Sequence, residues 1–279
     1  MIIRCWGARG SIPVSGSQYL RYGGDTTCME IRTRDDDVII IDGGTGLRSL
    51  GKELLRQGRH TYHLIFTHAH WDHLMGVPFF RPLYRQDTRL ILYGCPFAQN
   101  SIKAMMNSSM SPPHFPVKFE DVSASIDYRG ACTGPFSIAT VEIVPILLSH
   151  PNQGIGYRFT EDRKTFVFLT DNELLFQHPG GLTYDKYTEF ARNADFLIHD
   201  AEFTEAEYRT TRGWGHTAYK DALRLALDAG VRRLGLFHHN QDRTDGALDA
   251  LVNDCRTISA DKGSSLECVA MAEGMEIRL

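Results

Sequence analysis

Residues 66 to 76 read FTHAHWDHLMG, so that three histidines and an aspartate, His68, His70, Asp72 and His73, fall within six consecutive positions. Neutral imidazole and carboxylate suit zinc, and manganese or iron as well. Strand-like runs elsewhere end in the same residue types: PILLSH in His150, FVFLTD in Asp171, FLIHD in His199 and Asp200, and LGLFHH in His238 and His239. No cysteine accompanies these motifs, whereas closed structural zinc sites are dominated by thiolates. Seven candidate ligands are too many for one tetrahedral ion. They divide into His68, His70 and His150 around one metal and Asp72, His73 and His238 around another, with the Asp171 carboxylate bridging. Two divalent ions about 3.5 to 4 Å apart form a hydrolytic arrangement that activates water and clamps the attacking and leaving oxygens.

Ligands so far apart along the chain must be brought together by a sheet. Short apolar runs bounded by Gly, Pro, Asp and Asn (MIIRCW, CMEIRT, VIIID, YHLIFT, RLILYG, TFVFLT, DFLIH, RLGLF, LECVAMA, MEIRL) read as strands, and FSIATVEIVPILLSH as one long strand or two. Apolar residues at helical spacing from Leu47 to Leu55, with a stop at Gly58, predict a helix; YKDALRLALDAGV and the stretch from about Asp245 to Ser259 predict two more. Alternating strands and helices indicate an α/β fold (α+β in some schemes). In such folds sites assemble at the carboxyl ends of strands. Residues 96 to 116, rich in Met, Ser and Pro, fit a helix with a loop over a site as well as a plain surface excursion. No linker, low-complexity tract or long repeat interrupts the chain, so one domain over residues 1–279 is expected.

Composition sets limits on partners. The chain has 279 residues, 42% hydrophobic and 23% charged, with a formal net charge of −4. That balance lacks the basic footprint of a protein gripping long nucleic acid by its phosphates, and a small anionic substrate fits better. Six cysteines without a CxxC pair are read as reduced and mostly buried. With no leader-like amino terminus and no long apolar run, a cytoplasmic protein off the membrane is expected.

THAHWDH resembles the His-x-His-x-Asp-His signature of the metallo-β-lactamase fold, and His150, Asp171 and His238 fall in the order of that superfamily's remaining ligands. IIIDGGTG is similar to its first motif, where the Asp, here Asp42, has a supporting role. The resemblance spans nearly the whole chain and implies a four-layer αββα sandwich with a dimetal site along one edge of the sheets. LIHDAEF followed by GWGHTAYKDALRLALDAGVRRLGLFHH is similar to the ribonuclease Z group, in which an acidic residue after a strand orients a histidine that opens a helix. Carried over, these are Asp200 and His216, although the family usually has Glu where Asp200 stands. MIIRCWGARGSIPVSG and YGGDTTC resemble a bacterial subgroup similar to cyclic-nucleotide phosphodiesterases. The long Gly/Pro-rich arm of ribonuclease Z proper has no counterpart between Asp171 and Asp200.

The resemblance therefore implies a phosphodiesterase with two divalent metals, zinc first and manganese or iron as alternatives, acting on a small phosphodiester such as a cyclic nucleotide or cyclic sugar phosphate. An RNA 3′-end nuclease of ribonuclease Z type, or a carbonyl hydrolase on the same fold (lactonase, thioesterase or β-lactamase), is the alternative. In this mechanism Asp72 ligates metal and orients the nucleophile, while His216, held by Asp200, assists departure of the sugar oxygen. A homodimer is a further expectation by resemblance.

Several residues have plainer readings. Neighbouring side chains on a strand face opposite ways, so one of His238 and His239 reaches a metal; the resemblance favours His238. His199 reads as structural, and His60, His63, His114 and His178 as surface or loop positions without partners. Arg9 and Ser11, in the turn GARGSIP, are candidates for phosphate contact, although such a turn needs no ligand to explain it.

Overall fold

A computed structural model of the chain describes residues 1–94, 102–130 and 134–279. Its first half comprises β1 (Ile2–Gly7), β2 (Cys28–Arg32), β3 (Val38–Ile41), α1 (Gly46–Arg56), β4 (Thr61–Ile65), β5 (Arg89–Gly94), α2 (Ile102–Ser109) and β6 (Ser125–Gly130). The second half comprises β7 (Phe136–Ile138), β8 (Val141–Leu148), β9 (Gly154–Glu161), β10 (Lys164–Leu169), α3 (Tyr184–Ala191), β11 (Phe196–Asp200), α4 (Glu205–Thr211), α5 (Tyr219–Asp228), β12 (Arg233–Phe237), α6 (Asp245–Asp261), β13 (Glu267–Ala270) and β14 (Glu276–Arg278). Two seven-stranded sheets result, ordered β14-β1-β2-β3-β4-β5-β6 and β13-β12-β11-β10-β9-β8-β7. The strands nearest the two ends of the sequence, β1 and β14, pair antiparallel in the first sheet.

Three apolar layers account for this architecture. Between the sheets, Ile3, Ile31, Ile39, Ile41 and Ile65 meet Ile143, Phe159, Phe166, Phe168, Phe196 and Phe237. Phe166 stacks on Phe159 and on Phe196 with ring centroids 5.5 Å apart in each case. Burying each such ring contributes roughly 1.5–3 kcal/mol. On the outer face of the first sheet, Leu47, Leu50 and Leu54 of α1 cover Val38, Ile40 and Leu64. On the outer face of the second, Tyr187, Leu223, Ala226, Leu248 and Cys255 cover Val167, Leu197 and Leu236. The order of layers is helix, sheet, sheet, helix, the sandwich that the resemblance implies. Strand β3 reads VIII without alternation because both of its faces are covered.

Some elements lacked a readable signal. Strand β9 opens on GIGY, where two glycines break the apolar run, yet it pairs antiparallel with both β8 and β10. β6, α3 and α4 are short and polar; α4 depends on a capping box between Thr204 and Glu207. Within residues 96 to 116 the helix α2 is present, while positions 96 to 101 lie outside the described residues, as do Cys95 and Cys132. Cys5, Cys28, Cys255 and Cys268 are buried and free. Among the described residues no helix is long and apolar enough to cross a membrane.

Candidate metal centre

Strand ends deliver the site. β4 leads into Thr67 and His68, β8 into His150, β10 into Asp171 and β12 into His238, while a single turn of helix, Trp71–His73, carries Asp72 and His73. Asp171 (φ 51°) and His238 (φ 56°) adopt left-handed backbone conformations, as does Asp42 (φ 61°) just after β3. Such strain persists where surrounding structure fixes it, commonly at functional sites.

Two ligand groups form. One atom each from His68, His70, His150 and Asp171 lie within 4.8 Å of one another, and the same holds for Asp72, His73, Asp171 and His238. Asp171 belongs to both groups: its Oδ2 is 3.5 Å from His68 Nε2 and 3.7 Å from His150 Nε2, and its Oδ1 is 3.3 Å from His73 Nε2. Asp72 Oδ2 lies 3.0 Å from His238 Nε2 and 3.2 Å from His73 Nε2.

Four of the five imidazoles in the two groups are anchored through Nδ1, while His70 turns its Nδ1 inward, 3.0 Å from His150 Nε2. His73 donates to Asp42 Oδ2 (2.8 Å), His150 to the Gly215 carbonyl (3.0 Å), His238 to Glu202 Oε2 (2.9 Å), and His68 Nδ1 sits 3.0 Å from the Thr67 hydroxyl. With Nδ1 so held, the Nε2 atoms of these four rings face inward, the arrangement a metal needs. His68 Nε2 and His73 Nε2 are buried and make no hydrogen bond. Orphaned nitrogens facing two carboxylates at this spacing fit divalent cations.

The electrostatics agree. Burial lowers the pKa of His68, His70 and His150, the last to about 3, so these rings stay neutral and able to ligate. His73 and His238 behave oppositely: burial alone would lower them, but Asp171 with Asp72 and their own partner carboxylates raise them well above the ordinary value. Burial would also raise Asp171, and the facing histidines His238, His73 and His68 hold it well below the usual carboxylate range instead. Neutral His68, His70 and His150 thus line one side of the buried centre, while on the other side the carboxylates draw positive charge onto His73 and His238, the charge a divalent cation would supply in their place.

Beside this centre, His216 Nδ1 is 2.6 Å from Asp200 Oδ2, and the imidazole stacks on His238 with centroids 4.5 Å apart. Burial would lower its pKa, but Asp200 and Glu202 outweigh that and raise it to about 9. A proton-bearing ring next to the metal groups can protonate a leaving oxygen.

Two carboxylates escaped the sequence reading. Glu202, two residues beyond Asp200, joins His238 to Asn240. Glu173, two beyond Asp171, accepts from His178 Nε2 (2.8 Å), the Tyr208 hydroxyl (2.6 Å) and the backbone amides of Gly213 (2.7 Å) and Gly215 (2.8 Å). It thereby shapes the turn that leads into His216. The only sequence signal was a second acid two positions past a strand-end aspartate.

The remaining readings divide: His63 and His178 prove to have partners, while His60 is exposed, His239 points away from the site and His199 is structural, as expected. His178 is a buried partner of Glu173, His63 meets the Tyr93 hydroxyl at 3.0 Å, and His60 lies 3.3 Å from Asp87. Arg9 is 1% exposed and gives Nε to the Gly23 carbonyl and Nη1 to those of Asn240 and Arg243, so it braces loops, while its buried Nη2 makes no hydrogen bond. Ser11 donates its backbone amide to Asp72 Oδ2 at 3.0 Å. His239 turns away, with Nε2 2.8 Å from the Met271 carbonyl. His199 is buried against Asn172.

The family model described as "Beta-lactamase superfamily domain" matches residues 37–239. A protein named ribonuclease Z from Haloarcula marismortui is 26% identical over 292 aligned residues, covering 88% of this chain and 89% of that protein. Among solved structures, the metallo-beta-lactamase fold protein YhfI from Bacillus subtilis superposes with TM-score 0.71 at 18% identity, covering 99% of this chain and 98% of that one. A diphosphatase from the PhnP family superposes with TM-score 0.69 at 16% identity, covering 100% of this chain and 97% of that one.

Proposed function

The chain belongs to the beta-lactamase superfamily, on its metallo-β-lactamase fold, ribonuclease Z-like branch, and from that premise we propose that it is a dinuclear metal-dependent phosphodiesterase acting on a small phosphodiester such as a cyclic nucleotide or cyclic sugar phosphate. Residues 1–279 act as one domain in this reading, supported by the pairing of β1 with β14. His68, His70, Asp72, His73, His150, Asp171 and His238 hold the two ions, with Asp171 reaching both groups. Bound there, divalent cations lower the pKa of water toward about 7 and neutralise phosphoryl charge. Zinc suits an all-imidazole and carboxylate set, as manganese and iron also do.

The protein's own groups do the rest. Asp72, fixed by the Ser11 amide and by His238, orients the nucleophile opposite the scissile bond. His216 places its proton on the departing sugar oxygen, because Asp200 holds Nδ1 and leaves Nε2 for the substrate. A phosphomonoester leaves.

The observation that carries this reading is the 2.6 Å contact of His216 with Asp200 beside the metal groups. The departing sugar oxygen of a phosphodiester is an alkoxide that needs a proton donor, and His216 is placed to be one. The second reading, an RNA 3′-end nuclease, is favoured by the ribonuclease Z name of the Haloarcula relative. The net charge of −4 favours a small substrate over long RNA. A panel of bis-para-nitrophenyl phosphate, cyclic nucleotides, cyclic sugar phosphates, precursor transfer RNA, a lactone and a β-lactam separates them. Turnover of the small phosphodiesters above all others is expected. Preferred cleavage of precursor transfer RNA, or of the lactone or β-lactam, would overturn the proposal.

A further inference from the structure

A second pocket, of about 300 Å³, is lined by Arg48, Lys52, Pro78, Phe79, Arg81 and Tyr84. None of these residues belongs to the metal groups or to the Asp200 and His216 pair. Arg48 and Lys52 stand four positions apart on the exposed face of α1, and Arg81 joins them from the turn Arg81–Tyr84. Like charges at this helical spacing repel and weaken the helix that carries them.

Many surface arginines hold a carboxylate, although exposed Arg129, Arg163, Arg209, Arg212 and Arg256 do not among the described residues. Arg4, Arg21, Arg34, Arg56, Arg85 and Arg89 each hold a carboxylate. Among the described residues Arg48, Lys52 and Arg81 have no carboxylate within ion-pair distance; Arg48 Nη2 reaches the Ser49 hydroxyl at 3.3 Å. In a chain of net negative charge, three unpaired cations around one pocket are a local reversal of sign.

The pocket also exposes two aromatic rings: Phe79 is 56% and Tyr84 40% exposed. Both are held in place, Tyr84 by its hydroxyl on the Pro78 carbonyl at 2.6 Å and Phe79 by an edge contact with Phe115 at 5.9 Å. Pre-positioned rings beside unpaired cations suit a ligand that combines a flat ring with a multiply charged anion. A volume of about 300 Å³ lies at the lower end of the range of small-ligand sites.

We propose that this pocket binds a nucleoside phosphate, with the base against Phe79 and Tyr84 and the phosphate among Arg48, Lys52 and Arg81. Neither the metal centre nor the reaction assigned above is needed for the binding.

Calorimetric titration of the metal-loaded protein with adenosine monophosphate, inorganic phosphate, adenosine and a short oligoadenylate tests it. The comparison uses the native chain, the double variant R48E/K52E and Phe79→Ala, each checked for unchanged turnover of bis-para-nitrophenyl phosphate. Expected is binding of adenosine monophosphate that weakens with salt and falls at least tenfold in both variants, with phosphate or adenosine alone binding more weakly. Tighter oligoadenylate binding with the same dependence on the variants supports the pocket and identifies its nucleotide as a unit of a strand. Equal affinity in native and variant proteins, phosphate binding as tightly as the nucleotide, or no binding of nucleotide or oligoadenylate at low salt overturns the proposal.

Discussion

His238 Nδ1 lies 2.9 Å from Glu202 Oε2, while the other Glu202 oxygen accepts from the Asn240 side-chain amide at 3.0 Å. Glu202 is 4% exposed, and its anchored carboxylate sets which nitrogen of His238 carries the proton. Such partners of metal-binding histidines are typically worth about 10–100-fold in metal affinity. Glu202→Ala is therefore expected to weaken binding of the ion at Asp72, His73 and His238 by about that factor. Competition against a chromophoric chelator checks this, and native affinity in the variant would refute it.

His216 and His68 should separate chemistry from metal binding. His216→Ala is expected to keep its metal while turnover of a phosphodiester falls about 10²–10⁴-fold, the range for loss of a positioned acid. His68→Ala should lose metal and activity together, since His68 Nε2 is 3.5 Å from Asp171 in the heart of the first group. Metal analysis with steady-state kinetics distinguishes them; equal metal content and equal activity in the two variants would contradict the assignment.

Glu173 supports the site without touching either metal group. Its carboxylate accepts from the amides of Gly213 and Gly215, and the Gly215 carbonyl in turn accepts from His150 Nδ1. Glu173→Ala leaves these donors without their acceptor, at a cost of about 1–3 kcal/mol for each buried group left unpaired. Lower stability in denaturant and a reduced kcat are expected together, the latter because the turn before His216 loses its template. Unchanged stability and kcat would show that the turn holds itself.

Much of this was legible in the sequence because several candidate ligands lie at strand ends. His68, His150, Asp171 and His238 each follow an apolar run that could hardly be anything but a buried strand, so chemistry and fold were read from the same letters. Strand β9 was not, since Gly154 and Gly156 interrupt its apolar pattern; a Cβ on Gly156 would sit 2.5 Å from Leu169 Cδ2 and 3.0 Å from the Phe168 carbonyl oxygen, so a side chain there requires its neighbours to shift. Glu173 and Glu202 were missed for a different reason. Their partners are backbone amides and ring nitrogens far away in sequence, and a lone acid in a polar loop looks like any solvated one until the fold closes over it. Arg9 stood open between a phosphate contact and a plain turn, and only the folded chain shows its Nε and Nη1 turned onto carbonyls.

Asp171 stands in both ligand groups, so it is the residue on which a two-ion centre most depends. Metal content by inductively coupled plasma mass spectrometry, measured with bis-para-nitrophenyl phosphate turnover on the native chain and on Asp171→Ala, is the most direct measurement. Two divalent ions per native chain, with loss of both metal and turnover in the variant, is the predicted result. A native chain that turns over the phosphodiester with one ion or none, or a variant that keeps two ions and full activity, would contradict it.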